Sequence, residues 1–352
     1  MAPQTKIDIS ENILRNRGQV LDILLIDRTR HKPSRPFNII WATDSYMKYG
    51  KDYAPTKQIK REQITGVNGK LIQPRAAKSK EEQKYRTKDK AEVFTPLKIV
   101  KEMNMAINWA SNHWPATTEN WVGYITENRL EITCGEAPFI ASRYDPTKNG
   151  GGVEPIKKRV GFLDYKLNVV NEFTSSKKEW LEFAEVALKA TYGYEWQGDN
   201  LLIARENILL TIDDFYKDFC TSKLGLKSKQ SLTDEQLEHF AEIISWNIWQ
   251  MDGLKYVRPL SCRQTTVAQS EIPKNQMSLL PAEKPVKQKV DCEGCRTNNP
   301  LTHTKSAYAK IKNWDKNKTV RFVDILNATE RRAGKYWLSD VLCATLFLKG
   351  LV

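Results

Sequence analysis

Apolar and polar positions in the middle of the chain follow two periods, one typical of helices and one typical of strands. Residues 178–193 (KEWLEFAEVALKATYG) carry apolar side chains at helical spacing and end at a glycine, which predicts a helix. The short runs RLEIT (129–133) and YGYEW (192–196) predict buried strands. Thr233 and Gln236 have the spacing of a capping box, so we expect a helix to begin there and to lead into a strand ending at Asp252.

The order of these elements predicts the fold class. Between residues 95 and 253 the pattern gives helix, strand, helix, strand, helix, helix and strand. Strands that alternate with helices indicate βαβ units and a largely parallel sheet. We therefore predict an α/β fold with a doubly wound, Rossmann-like sheet, whose ligands bind at the carboxyl ends of the strands.

The remaining segments divide the chain around this core. We expect an N-terminal α/β extension at residues 1–50 and a basic linker or arm at 51–90. The core is expected at 91–260, followed by a flexible loop at 261–304. Residues 305–352 contain aromatic and apolar positions again, which predicts a strand and helix that complete or cover the core.

The net charge of +13 is concentrated in two segments. Residues 51–90 have a net charge of +7 and residues 274–335 a net charge of +8, so the rest of the chain is close to neutral. A polyanion such as DNA explains this distribution, although RNA attracts the same charges and solvated linker charge is the alternative. No apolar run approaches a membrane span, no secretory signal is evident, and six cysteines do not suggest a disulfide framework, so we expect a cytoplasmic protein.

Acidic residues and a glycine mark the predicted ends of the three strands. Glu131 and Gly135 flank the end of the first strand, Glu195 ends the second, and Asp252 ends the third. A nucleoside cofactor requires a glycine turn for close approach and a carboxylate for the ribose hydroxyls, and a further acid binds the base amine. Glu195 as an acid at a helix N-terminus and Asp252 as part of a plain turn are the alternatives.

These strand ends lie in a longer ordered set of motifs. AEVFTP (91–96), LEITCGEAPF (130–139), the stretch from YGYEW to the AREN tetrapeptide, and NIWQMDGL (247–254) together resemble the amino-methylating, adenine-specific DNA methyltransferases. Within that family the chain is most similar to modification subunits of restriction-modification systems. The resemblance covers about residues 85–255. It implies S-adenosylmethionine as the cofactor and the exocyclic amine of a flipped adenine as the methyl acceptor.

The resemblance also implies the residues of the cofactor site. In this sequence they are Phe94, Thr95, Pro96, Glu131, Cys134, Gly135, Phe139, Glu195 and Asp252. Ile132 stands where the family has a proline, and Ala137 stands where it has a second glycine. We expect Ala137 to have a negative φ, because an alanine is strained in the left-handed region. Cys134 in a glycine turn is better explained by close packing than by nucleophilic chemistry.

The catalytic signature of that family is absent from the sequence. It consists of Asn, Asp or Ser followed by Pro-Pro and an aromatic residue, and the chain has fifteen prolines but no Pro-Pro pair. The run VRFVDIL resembles the strand that leads into the signature, yet Asn327, Ala328 and Thr329 follow it. Two hypotheses remain. The chain is an adenine methyltransferase or its modification subunit, with a partner subunit as one source of the acceptor, or it is a catalytically incomplete, methyltransferase-like DNA-binding subunit.

A separate group of cysteines has the spacing of a metal site. Cys292 and Cys295 form a CEGC knuckle, His303 follows, and Cys262 is the nearest further cysteine in the sequence. This set predicts zinc, and free thiols in a loop are the alternative.

Overall fold

The computed structural model describes most of the chain. The described residues are 14–148, 150–227, 230–262, 265–268, 287–290 and 292–325, with the backbone alone for 265–268 and 287–290. The predicted C-terminal helix (336–352), the Asn327-Ala328-Thr329 tripeptide and most of the segment 269–291 lie outside these residues.

A parallel sheet of three strands organises the centre of the protein. Strands β1 (Arg129–Glu131), β2 (Thr191–Glu195) and β3 (Ile248–Gln250) lie side by side in that order. The α/β class and the parallel sheet predicted from the sequence are confirmed. Two antiparallel pairs accompany it, β4 (Thr265–Ala268) with β5 (Lys287–Val290) and β6 (Lys310–Asn313) with β7 (Lys318–Arg321).

Helices flank and connect the strands. The described α-helices are α1 (Gly18–Leu25), α2 (Lys80–Lys90), α3 (Leu97–Trp109), α4 (Trp121–Thr126), α5 (Phe162–Phe173), α6 (Lys177–Lys189), α7 (Gly198–Asp218), α8 (Asp234–Asn247) and α9 (Glu293–Thr297). The capping box predicted for α8 is present, because Thr233 accepts a hydrogen bond from the Gln236 backbone and Gln236 accepts one from Thr233. Helix α5 was not predicted from the sequence. Its start depends on Asp164, whose carboxylate accepts hydrogen bonds from the backbone of Gly161 and of the distant Ser142.

The two faces of the sheet are covered by different elements. Alternate residues of a strand point to opposite faces. Gly193 faces the main helical core, where an added Cβ would lie 2.8 Å from Ile140 Cδ1. Its neighbour Tyr194 faces the other side and packs with Trp249 and with Phe322. The hairpin β6–β7 therefore covers the face opposite to the main core.

The same packing corrects the interpretation of VRFVDIL. This segment was expected as a strand leading into a catalytic signature. Only its first two residues belong to β7, which pairs antiparallel with β6, and residues 322–325 are helical. The strand predicted for this segment is therefore wrong beyond Arg321, because strand formation depends on pairing contacts distant in sequence.

Helix α7 passes through the centre of the core, with eighteen of its 21 residues buried. Within its AREN tetrapeptide, the Arg205 guanidinium donates hydrogen bonds to backbone carbonyls of α1, α8 and β3. Glu206 forms a buried ion pair with Arg15, with 2.8 Å between Nε and Oε1. The Asn207 amide donates to the carbonyls of Glu136 and Ala141 in the loop after β1. The tetrapeptide thus fixes this loop relative to the rest of the fold.

The segments at the N-terminal side differ from their prediction. Residues 51–90 were expected as a linker or arm, yet Ile59, Ile64 and Ile72 are fully buried in the main core together with Leu21 and Leu24 of the expected extension. Within this segment, α2 is held by the ion pairs of buried Arg86 with Glu92 and Asp199. The sequence did not predict this packing, because the segment is rich in basic residues and its apolar residues are few and widely spaced. Within the described residues, the helices are all too short or too polar to cross a membrane.

Candidate functional site

A cavity of about 520 Å³ lies between α3 and the loop that follows β1. Its size falls within the range of pockets that bind small molecules and cofactors. Six of the nine residues predicted to bind the cofactor line this cavity: Phe94, Thr95, Glu131, Cys134, Gly135 and Phe139. The FTP segment and the CGEAPF loop, which are distant in sequence, therefore line the same cavity.

The loop after β1 turns sharply three times. Thr133, Gly135 and Ala137 have φ values of 46°, 54° and 62°, all in the left-handed region. The expectation of a negative φ for Ala137 is therefore wrong. The left-handed conformation of Ala137 costs about 1–2 kcal/mol, and full burial of its methyl group offsets part of that cost.

Gly135 is the loop residue on which the ring of Phe94 packs. A Cβ at this position would lie 2.9 Å from Cε1 of Phe94, so only glycine allows the Phe94 ring to pack directly on the backbone. The loop is also tied to the sheet, because the Cys134 N–H donates to the carbonyl of Tyr194 at 2.8 Å.

The Glu131 carboxylate stabilises the loop through hydrogen bonds to its backbone. Its carboxylate oxygens accept hydrogen bonds from the backbone N–H groups of Phe139 (3.3 Å) and Ile140 (3.0 Å), which closes the loop. Burial raises the pKa of Glu131 well above its ordinary value. Burial likewise raises the pKa of the Cys134 thiol well above its usual range, so this thiol stays protonated at neutral pH. For Cys134, these properties agree with the packing role expected from the sequence.

Glu195 lies directly behind the cavity wall. One carboxylate oxygen accepts from the Gly135 N–H at 2.9 Å, and the other accepts from the Gln197 N–H at 3.0 Å. Burial raises the pKa of this carboxyl group to about 7. The position at the carboxyl end of β2, one hydrogen bond from the lining, is compatible with ribose binding but does not test it.

Two predicted residues have other contacts. Pro96 is exposed and precedes the first turn of α3, where its fixed φ suits a helix start. Asp252 caps a turn, because its Oδ1 accepts from the N–H groups of Leu254 (2.9 Å) and Lys255 (3.1 Å). Neither residue lines the cavity. The contacts of Asp252 match the plain-turn alternative, and its predicted role at an adenine stays a prediction.

Asn104 is a cavity residue that the sequence reasoning missed. Its amide Nδ2 donates to the carbonyls of Phe139 (3.0 Å) and Val160 (2.8 Å), which joins α3 to the loop. Its buried Oδ1 has no hydrogen-bond partner among the described residues, whereas buried polar atoms normally have one. The signal was present, because Val100, Asn104 and Asn108 share one face of an amphipathic helix and two of the three are polar.

The residues predicted to bind a metal come together away from this cavity. The ligand atoms of Cys262, Cys292, Cys295 and His303 all lie within 4.8 Å of one another. The Nδ1 atom of His303 is 3.4 Å from the Cys262 sulfur and 3.3 Å from the Cys292 sulfur. Cys262, separated from the knuckle by about thirty residues, is thus the fourth member of the group.

Comparison with known proteins adds no assignment to either site. No protein-family model matches the chain, and no curated protein or solved structure matches it.

Proposed function

We propose that the chain binds S-adenosylmethionine in the cavity between α3 and the β1 loop, and that it is an adenine-specific DNA methyltransferase or the modification subunit of one. The observation that carries the proposal is the convergence of the FTP segment and the CGEAPF loop on one cavity of about 520 Å³. The proposal also includes the finer fold, a doubly wound, Rossmann-like methyltransferase sheet, of which β1, β2 and β3 would form one half.

The residues of the cavity fit such a ligand. Phe94 packs on Gly135 and lines the cavity, where its aromatic ring can stack on an adenine or contact a sulfonium group. Asn104 offers an unpaired carbonyl oxygen to an amine of the ligand. Glu195 would accept a hydrogen bond from a ribose hydroxyl next to its bond from the Gly135 N–H. When bound, S-adenosylmethionine supplies an electrophilic methyl group on its sulfonium centre.

DNA is the proposed second ligand. Lys98 and Lys101 are exposed on α3, which also forms the cavity wall. Exposed lysines beside a cavity suit phosphate contacts that position a duplex without reading its sequence. Of the two basic segments, 51–90 is described throughout and packs against the core, so its charges are held in place.

Calorimetric titration of the purified chain with S-adenosylmethionine tests the proposal. We expect saturable binding of about one cofactor per chain, with a dissociation constant in the micromolar range typical of substrate binding. Adenosine triphosphate is the matched control, because it shares the adenosine group but has a polyanionic tail that an apolar cavity disfavours. Equal binding of both nucleotides, or no binding of either by folded protein, would contradict the proposal.

The absent Pro-Pro signature supports a second candidate, a methyltransferase-like subunit that binds DNA without catalysing methyl transfer. Transfer of a labelled methyl group to adenine in duplex DNA separates the two. Cofactor binding with transfer supports an enzyme. Cofactor binding without transfer points to an acceptor supplied by a partner chain, and DNA binding without any cofactor binding favours the non-catalytic subunit.

The raised pKa of Glu195 predicts that the affinity for an adenosine ligand depends on pH. Its pKa is about 7 because of burial, and its ionised form accepts a ribose hydroxyl better than its neutral form does. Binding therefore favours loss of the proton, so affinity rises with pH through 7 and levels off above it. We expect adenosine, used because its ribose carries the contact, to bind about tenfold more tightly at pH 8 than at pH 6, as a single proton linkage requires.

The matched control for this prediction is Glu136. Burial also raises the pKa of Glu136 to about 7, but its carboxylate accepts from the Arg75 N–H and the Tyr144 hydroxyl, neither of which belongs to a lining residue, whereas Glu195 is bonded to the lining residue Gly135. The pH dependence should disappear in Glu195→Gln and persist in Glu136→Gln. A dependence that survives in Glu195→Gln would exclude Glu195 as its source.

A further inference from the structure

We infer that Cys262, Cys292, Cys295 and His303 form a closed structural zinc site that fastens the β6–β7 hairpin over the open face of the sheet. This inference does not depend on the proposed function, because the four residues lie outside the cavity that carries it. The sequence suggested zinc as one of two interpretations. The structure places Cys262 beside the other three residues and adds the geometry of the group and the elements that a bound ion would join.

The distances agree with tetrahedral coordination. With Zn–S bonds of about 2.3 Å and Zn–N bonds of about 2.0–2.1 Å, a tetrahedral site places sulfur and nitrogen ligands roughly 3.6 Å apart and two sulfurs roughly 3.8 Å apart. The His303 Nδ1 lies 3.3 Å and 3.4 Å from two of the sulfurs, and all pairs of donors fall within 4.8 Å. Three thiols and one imidazole are soft donors that favour zinc over magnesium or calcium.

The surroundings of the group support a built site. The N–H groups of Gly294 and Cys295 donate hydrogen bonds to the Cys292 sulfur, as second-shell donors do for a metal-bound thiolate. An added Cβ at Gly294 would lie 2.6 Å from the His303 ring, so this glycine makes room for the ligand. Lys255 lies close enough to act electrostatically on Cys295 and His303, and it offsets the excess negative charge of three thiolates.

The four ligands come from three parts of the chain. Cys262 lies between β3 and β4, Cys292 and Cys295 flank the start of α9, and His303 precedes β6. With four protein ligands the coordination of zinc is complete, which is typical of structural rather than catalytic sites.

The base of the hairpin is joined to the segment after β3 by hydrogen bonds and by a small hydrophobic cluster. The segment after β3 meets it through two backbone hydrogen bonds, from Arg258 N–H to the Ala307 carbonyl and from Ala309 N–H to the Tyr256 carbonyl. The hydrophobic cluster at this junction has only four buried members, Val257, Ala307, Tyr308 and Val323. A metal ion with ligands on each side of this junction would add to its support. The zinc would therefore hold the hairpin against Tyr194 and Trp249 on the sheet.

Elemental analysis of the full chain, purified under reducing conditions without added metal, tests the site. We expect about one zinc ion per chain, as four protein ligands imply. Cys295→Ser should lose most of the zinc, whereas Cys220→Ser, which changes a buried cysteine outside the group, should retain it. Replacement by cobalt should give the visible absorption of a tetrahedral thiolate complex. Wild-type protein that contains no zinc and shows no such absorption overturns the site.

Hydrogen exchange tests the role of the site and does not require a folded variant. Removal of zinc from the wild-type chain by a chelator should speed amide exchange in β6 and β7, while exchange in the buried helix α7 stays unchanged. Thiol titration of the same samples provides the second readout, because the three cysteines of the group should react fully only after chelation. Unchanged exchange in the hairpin would overturn the fastening role, and immediate reaction of all thiols would overturn metal ligation itself.

Discussion

Gly135→Ala should abolish measurable binding of S-adenosylmethionine. The residue has a φ of 54°, and an added Cβ would lie 2.9 Å from Cε1 of Phe94. The methyl group must displace either the Phe94 ring or the loop that carries the Glu195 hydrogen bond. Misplacement of binding groups by about 1 Å commonly costs a factor of about 100, so we expect at least that loss in calorimetric affinity.

Gly66→Ala is the matched control for this variant. Gly66 has a nearly identical φ of 58°, and an added Cβ there meets nothing within 4 Å. Both variants should lose about 1–2 kcal/mol of stability from the left-handed backbone, but only Gly135→Ala should lose the ligand. Equal affinities in the two variants would mean that Phe94 and the loop do not form the cofactor site. A loss of affinity in both would indicate a general effect of destabilisation.

The parts of the site that the sequence predicted are those with local signals. The strand ends at Glu131 and Glu195 follow from short apolar runs that stop at a glycine turn or a helix start. Phe94 and Thr95 were predicted from the family resemblance of the short FTP triplet. The Cys292–Cys295 knuckle needed only the spacing of two cysteines. Each of these inferences uses residues that lie within about ten positions of one another.

The features of the fold and site that the sequence did not predict depend on contacts between residues distant in sequence. The positive φ of Ala137 follows from how the loop is closed by Glu131 and Asn207, and no local pattern contains that information. The packing of 51–90 depends on three buried isoleucines separated by polar residues. Asp252 lies at a strand end as predicted, but its carboxylate caps its own turn. Residue type and spacing thus located candidate groups without fixing what they contact.

Arg205→Met should cause a large loss of stability in the described core. The Arg205 side chain is 1% exposed, and its guanidinium donates to the backbone carbonyls of Leu24, Ile26, Ser245 and Ile248. Methionine keeps most of the apolar volume but leaves these acceptors without their donor. Relief of the buried charge offsets part of the loss, so we expect about 3 kcal/mol from urea unfolding followed by circular dichroism.

Arg61→Met is the matched control, because it makes the same substitution at an arginine on the surface. Arg61 is 42% exposed by side chain and pairs with exposed Asp22, so its removal should change stability by no more than about 0.5 kcal/mol. If Arg205→Met is equally mild, the carbonyls of α1, α8 and β3 must find other donors, and Arg205 does not join these elements.

The same variant separates the stability of the core from the geometry of the site. Asn207 holds the loop after β1 through Glu136 and Ala141, and Arg205→Met leaves those two hydrogen bonds in place. Far below its melting temperature, the Arg205→Met variant should therefore bind S-adenosylmethionine almost as tightly as wild type. Together with Gly135→Ala, which should lose the ligand with only a modest loss of stability, it forms a reciprocal pair. Two variants that lost both properties in parallel would mean that the loop has no conformation independent of global folding.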